Sequence, residues 1–369
     1  VILFSIVLLI PLICAAAAFC FSKQICPKEL AVIAGTQIVV AIVSALVCYN
    51  MSTCDNETWN SRIVSKQKVY TSCSHSYSCH CRESCSGSGK NRSCHQVCDT
   101  CYEHSNDWNW RIDTSTGESL NIDRIDRRGS NEPPRWTRAF INEPVSTTHS
   151  YTNYIKASPD SLFRHQGLVE KYKGTIPEHP DNVYDYYRLD RFVTVHVNVK
   201  DSRYWNDDLM QLNAELGSKK QVNVIVVLVN GLSQEYFYAL EQAWIGGKKN
   251  DVVLVVDVDS NKKPVWASVM AWESNDVFKI KLRDTIMEQE TIERWTVIPV
   301  LKDTITKYHV RKPMSDFEYL KSAIVPSTLQ YVVTLGIAFL LTIILVVVFH
   351  VNETFDSYGS SYGRRNRFY

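Results

Sequence analysis

The chain has 369 residues, 45% hydrophobic and 21% charged, with a formal net charge of +1. So even a balance excludes the strongly basic surface that binds phosphate backbones, so nucleic acid is not an expected partner. The length leaves room for one substantial core and smaller modules, and hydropathy then sets the class.

Three apolar runs, Val1 to Phe21, Leu30 to Tyr49 and Leu329 to His350, have the ~20-residue length that crosses a bilayer. The first lacks a basic leader and is followed at once by another apolar run, which favours a true span over a cleaved signal. A start at Val1 also leads us to expect residues upstream. The reading is three transmembrane helices, with the lipid bilayer as first partner. Ala15 to Ala18 in the first run and Ala31, Ala34, Gly35 and Ala41 in the second allow close packing, as a hairpin over residues 1–50. Lys23 and Lys28 in the short loop, and Arg364, Arg365 and Arg367 in the tail 352–369, mark the cytoplasmic side. Residues 51–325 are then extracytoplasmic, periplasmic or lumenal, and the last span covers 326–351.

Residues 51–105 are poor in apolar side chains and hold eight cysteines: Cys54, Cys73, Cys79, Cys81, Cys85, Cys94, Cys98 and Cys101. An even count in a stretch that cannot bury a core, on an oxidising face, argues for about four disulfides, with connectivity unreadable. His75, His80, His95 and His104 lie among them, so zinc is the alternative, alone or mixed with disulfides. Cys98 to His104 has a spacing that zinc accepts. Cys73, Cys79, Cys81 and Cys85 lack the usual paired knuckle.

Residues 106–190 alternate polar, aromatic and turn residues. Trp110 to Asp113 and Leu120 to Asp126 carry the period of two of half-buried strands, and Asn131 to Trp136 marks a turn. This reads as a β-rich, loop-heavy extension whose tyrosines suit a contact surface.

Residues 191–325 read as an α/β domain. Arg191 to Val199 alternates as a strand, with His196 a partly exposed sheet residue, and Asn206 to Lys219 is helical. Val222 to Val229 and Asp251 to Val258 are continuous apolar runs, as in strands buried on both faces. The amphipathic segment between them, with Ser233 as cap and Gly246-Gly247 as terminator, makes a strand-helix-strand unit with parallel strands. Pro264 to Trp272 is a further strand. Phe278 to Tyr308 forms one or two helices broken near Thr291 or Pro299, and Asp316 to Ile324 a last short helix.

This order, with Val224 to Val229, the helix ending at Ala243-Trp244, the loop Gly247-Lys248-Lys249-Asn250-Asp251 and Val252 to Val256, resembles the TPM-domain family of membrane-anchored α/β proteins. The resemblance covers about Val193 to His309 and leaves the Cys-rich insert outside. It implies a TPM-like mixed sheet with helices. Some members resemble phosphatases or bind divalent ions through acidic loops. Asn261-Lys262-Lys263 and Met270-Ala271-Trp272-Glu273 stand where members usually carry an Arg and a Gly-x-Gly turn, which weakens the carry-over of either property.

Asp257 and Asp259 leave a strand at its C-terminal end, where open α/β sheets collect ligands and where calcium or magnesium finds oxygen donors. Asp is equally an ordinary turn residue. Ser/His/Asp order, phosphate-binding glycine loop and HExxH are all missing from the sequence, so hydrolysis has no nominated nucleophile. The first expectation is a non-enzymatic, membrane-anchored structural or assembly protein, forming a homo-oligomer. The alternatives are a divalent-ion-dependent phosphate-ester hydrolase and a Cys/His metal-binding module.

Overall fold

The computed structural model describes residues 27–87, 92–161, 163 and 167–352. The first expected span, 1–21, and the basic tail lie outside the described residues. The chain divides into two compact units, one of Val1–Asp55, Thr152–Ser161 and Met314–Tyr369, the other of Asn56–Tyr151 and Leu162–Pro313.

In the first unit, helix α1 (Pro27–Thr53) and the C-terminal helix Thr328–Asn352 contain the two segments, Lys28–Thr53 and Thr328–Phe349, long and apolar enough to cross a membrane. Most of their large apolar side chains are exposed. Gln37 of α1 donates from Nε2 to Thr342 Oγ1 at 2.7 Å and to Ala338 O at 3.1 Å. Such a bond joins two apolar helices through their few polar side chains. The expected short helix before the last span is a 3-10 segment, Met314–Ala323.

The second unit, from Asn56 on, holds most or all of β1 (Cys54–Ser72), β2 (Ser76–Ser86), β3 (Ser93–Tyr102), β4 (Asn106–Thr114), β5 (Ser119–Ile122) and β6 (Pro144–Thr152). A four-stranded sheet runs β5-β4-β1-β6, and β2 and β3 make a separate two-stranded sheet. The two strand segments expected at Trp110 and Leu120 are β4 and β5, while the turn at Asn131 leads into a short helix, Pro134–Arg138. Residues 51–105 are less uniform than their composition suggests. Ile63 of β1 is fully buried with Trp110, Ile112, Ile122, Val145 and Tyr187, so β1 belongs to this core and only β2 and β3 leave it.

Next come β7 (Phe192–Val195), α2 (Ser202–Lys220), β8 (Asn223–Val229), α3 (Glu235–Ala243), β9 (Asp251–Val258), β10 (Pro264–Ala271), α4 (Val277–Met287) and α5 (Arg294–Tyr308). The sheet order is β10-β9-β8-β7, with β7, β8 and β9 parallel and β10 antiparallel. Every residue of β8 and β9 is buried. Val224, Val226, Val252, Leu254 and Val256 pack with α2, α4 and α5 on one face; Ile225, Val227, Val253 and Val255 pack with Tyr236, Phe237, Leu240 and Trp244 on the other. Cover on both faces is why these strands read as unbroken Val runs.

Several boundaries differ from the sequence reading. Strand β7 stops at Val195 because His196 takes a left-handed φ of 58°, which ends the ladder. Ser233 does not cap α3; its hydroxyl pairs with Tyr172 at 2.9 Å, and the helix begins after Gln234 without a side-chain cap. Gly246 and Gly247, with φ of 75° and 78°, do terminate that helix region, their N–H groups donating to Glu241 O and Trp244 O. The break between α4 and α5 falls at residues 288–293, and Pro299 sits inside α5.

Arg191 ties the unit's two four-stranded sheets together from inside. It is fully buried, and its guanidinium donates to Asn60, to Ser146 Oγ at 2.6 Å, to Leu189 O at 2.8 Å and to Asn223 Oδ1 at 2.8 Å. Asn60 lies on β1 and Asn223 on β8. Burial pushes the guanidinium down to about 9, with Asp251 and Asp190 acting in the opposite direction, so it stays charged at neutral pH. The network leaves no side-chain donor of Arg191 without a partner nearby, the condition under which a buried cation is tolerated.

Candidate functional site

Strands β2 and β3 form an antiparallel arm whose side chains are almost all exposed. A two-stranded hairpin without a buried face is marginal in water, and covalent links are the usual substitute for a core. Three disulfides, Cys79–Cys101, Cys81–Cys98 and Cys85–Cys94, cross the arm in nested order from base to tip. In the chain-entropy account each is worth about 2–4 kcal/mol against the open chain.

Three bridges form in place of four. Cys54, at the start of β1, is free and exposed, and Cys73 is free and buried. The Cys98 to Cys101 spacing does not act as a unit, since these two cysteines enter different bridges.

Cys73 is drawn into a different group. Between the pair Ser72↔Asn106, which ends the β1–β4 ladder, and the pair Ser76↔Tyr102, which starts the arm, residues 73–75 and 103–105 interrupt the pairing. In that interruption one donor atom each from Cys73, His75, His104 and Asp107 lies within 4.8 Å of the others. The N–H of His75 donates to Cys73 Sγ at 3.4 Å, and His75 Nδ1 is 3.9 Å from the same sulfur. His104 Nε2 bonds to Asp107 Oδ1, while Asp107 Oδ2 accepts from Arg124 at 3.0 Å and from the N–H of Ser74 at 3.3 Å. The only backbone link across the gap is the N–H of Glu103 to His75 O at 3.1 Å among the described residues.

Burial works to raise the Asp107 carboxyl, but the bonds from His104, Arg124 and the Ser74 N–H outweigh it and hold the group at about 2. Asp107 is therefore a carboxylate at any ordinary pH. Arg124 is fixed by Asn109 Oδ1 at 2.6 and 3.1 Å, so its placement beside Asp107 is not a chance of a loose side chain.

The remaining histidines stand apart from this group. His80 is exposed, on a left-handed turn where the arm's register shifts, with Nδ1 3.9 Å from Cys101 Sγ. His80 does form a second grouping with Cys79 and Cys101, but both sulfurs there are joined to each other. His95 is exposed on β3, paired with Ser84. Asp107 and Arg124 carry no sequence signal beyond the His-x-x-Asp spacing of 104 and 107; only the pairing of β1 with β4 brings Asp107 to Cys73.

Asp257 and Asp259 have local partners. Asp257 Oδ1 accepts from the N–H of Leu232 at 3.1 Å, and burial raises its carboxyl. Asp259 Oδ1 accepts from the N–H groups of Asn261 and Lys263, both at 2.8 Å, the pattern of an Asx turn. Among the described residues, Asp257 and Asp259 belong to neither of the groupings whose donors converge on one point. Compared with family models, with curated proteins and with solved structures, the chain matches none.

Proposed function

We propose that this is a membrane-anchored structural protein that assembles into a homo-oligomer through its cystine arm. The observation that carries the reading is a two-stranded sheet with both outer edges open, stiffened by three bridges and joined to no other strand among the described residues. Open strand edges present unpaired N–H and C=O groups, and proteins that keep one rigid and exposed use it to add strands from a partner. Tyr77 and Tyr102, 53% and 57% exposed near the arm's base, supply aromatic contact area of the kind enriched at interfaces. The apolar helices at the two ends of the described chain serve as anchors, with the arm on the extracytoplasmic side where cystines persist. The TPM resemblance of the β7 to β10 region belongs to the same proposal, as the folded body tied to the sheet from which the arm springs.

The test is native mass of the full chain in mild detergent, beside a variant with residues 77–101 replaced by a two-residue turn. The reading predicts a defined oligomer that falls to monomer in the variant. An unchanged mass would refute it, as would a monomer in both.

A further inference from the structure

We infer that Cys73, His75, His104 and Asp107 form a zinc-type metal site that clamps the cystine arm to the sheet it springs from. This inference is independent of the oligomer reading, because it concerns how the arm is held and not what it touches.

Four observations converge. First, the arm's cysteines are consumed in pairs, whereas Cys73, 5% exposed and next in sequence to the arm, is kept out of them with its sulfur facing two imidazoles and a carboxylate. Besides the backbone of His75, this thiol has two imidazoles and a carboxylate within reach of its sulfur. Second, thiolate, imidazole and carboxylate in one group form a mixed donor set suited to zinc, which accepts all three, and not to calcium or magnesium, which take oxygen. Third, the spacing is close to closure. A tetrahedral zinc centre needs its donors about 3.3–3.8 Å apart, so the wider pairs close by about an ångström of side-chain movement while the direct His104–Asp107 contact opens to admit the ion.

Fourth, the surrounding bonds are those that orient ligands. Arg124 and the Ser74 N–H hold Oδ2 of Asp107, so Oδ1, now bonded to His104, is the oxygen that turns to a metal, and the His75 N–H points at the Cys73 sulfur. An ion pair of His104 with Asp107 would account for two of the four side chains. His75 lies 3.8 Å from Asp107 Oδ2 and the Cys73 thiol donates to His75 O at 3.6 Å, long contacts that a shared ion would replace with direct bonds.

The location gives the site its purpose. Donors from the 73–75 crossing and from the 103–107 crossing meet where the ladder is interrupted on both strands, so one ion replaces the missing strand pairs. Binding releases the Cys73 thiol proton to solvent as the sulfur becomes a metal-bound thiolate; no electron moves.

The experiment uses the full chain in detergent, stripped with a chelator and without reductant, so that the bridges persist. Zinc alone is titrated in, and cobalt is used in parallel for its spectrum. The expected result is one zinc per chain, a thiolate-to-cobalt charge-transfer band with tetrahedral visible bands, and protection of Cys73 from alkylation until chelator is added. Cys73→Ser should abolish the charge-transfer band, and His104→Gln should weaken zinc by at least about tenfold. Cys54→Ser should change nothing. Should a substituted chain fail to fold, the zinc stoichiometry and the cobalt charge-transfer band of the unaltered chain, with its bridges intact, still decide the matter. Zinc uptake equal in Cys73→Ser and the unaltered chain, uptake only after the bridges are reduced, or no uptake at all would each overturn the inference.

Discussion

Asn60 of β1 accepts hydrogen bonds from the guanidinium of Arg191 and from Ser146 Oγ, and its own Nδ2 donates to Val222 O at 2.9 Å. One amide thus joins both sheets of the larger unit through a charged partner with no solvent contact. Truncating one member of such a set strands the others in a dry interior, which costs about 3–5 kcal/mol. Arg191→Met should therefore lower the unfolding free energy, read from chemical denaturation, by a margin of that size. Arg191→Lys should be nearly as damaging, since a single ammonium cannot reach Asn60, Ser146, Leu189 O and Asn223 as a planar fork does.

Gly217 of α2 meets the same strand. A Cβ added there would lie 2.1 Å from Asn60 O and 2.7 Å from its carbonyl carbon. Backbone cannot yield as a side-chain tip can, so Gly217→Ala should destabilise by about 1–3 kcal/mol although alanine is the better helix former. Alanine at the exposed, unobstructed Gly117 would be strained only by its φ of 87° and makes the comparison. Thermal melts of the two variants would separate close approach from backbone conformation.

Stability should fall on the acid side partly through Asp251. Burial raises its carboxyl, but His179, 2.7 Å away, with Asn223 and the Lys248 N–H, holds it below the ordinary 3.8. A carboxyl lowered by folding stabilises the native state above its unfolded value and ceases to do so as pH drops through its folded value. Unfolding free energy should stay level down to about pH 4 and decline below it. In Asp251→Asn the plateau should be lower and the decline shallower, as read from urea titrations across that range.

The arm should be separable from the rest in stability. Its amides owe their protection to the three bridges, whereas β8 and β9 are held by apolar side chains on both faces. Reduction under native conditions should raise hydrogen exchange across β2 and β3 by at least about tenfold and leave β8 and β9 unchanged, because local stability tracks local burial. Loss of protection in all four strands together would show that the bridges support the core.

Much of the α/β sheet was legible, since Val222 to Val229 and Val252 to Val258 carry their burial in their composition. The bridges were legible as a class: polar residues crowded with cysteines cannot build a core. Their pairing was not, because it depends on register, and neither was the exclusion of Cys73, which follows from a pairing gap that local sequence does not encode. Asn60, Ser146 and Arg191 were invisible for a related reason. Each is an ordinary polar residue in its own segment, and only the meeting of β1, β6 and β8 turns them into a network. His196 misled in the other direction, as alternation continues through a residue whose backbone has already left the strand.

The account depends most on the arm being a cystine ladder. Thiol mapping of the full chain, with free thiols alkylated at lysis and a second label added after reduction, reads this directly. We predict the second label on Cys79, Cys81, Cys85, Cys94, Cys98 and Cys101, with Cys54 carrying the first label. Finding the first label on those six cysteines would contradict the account.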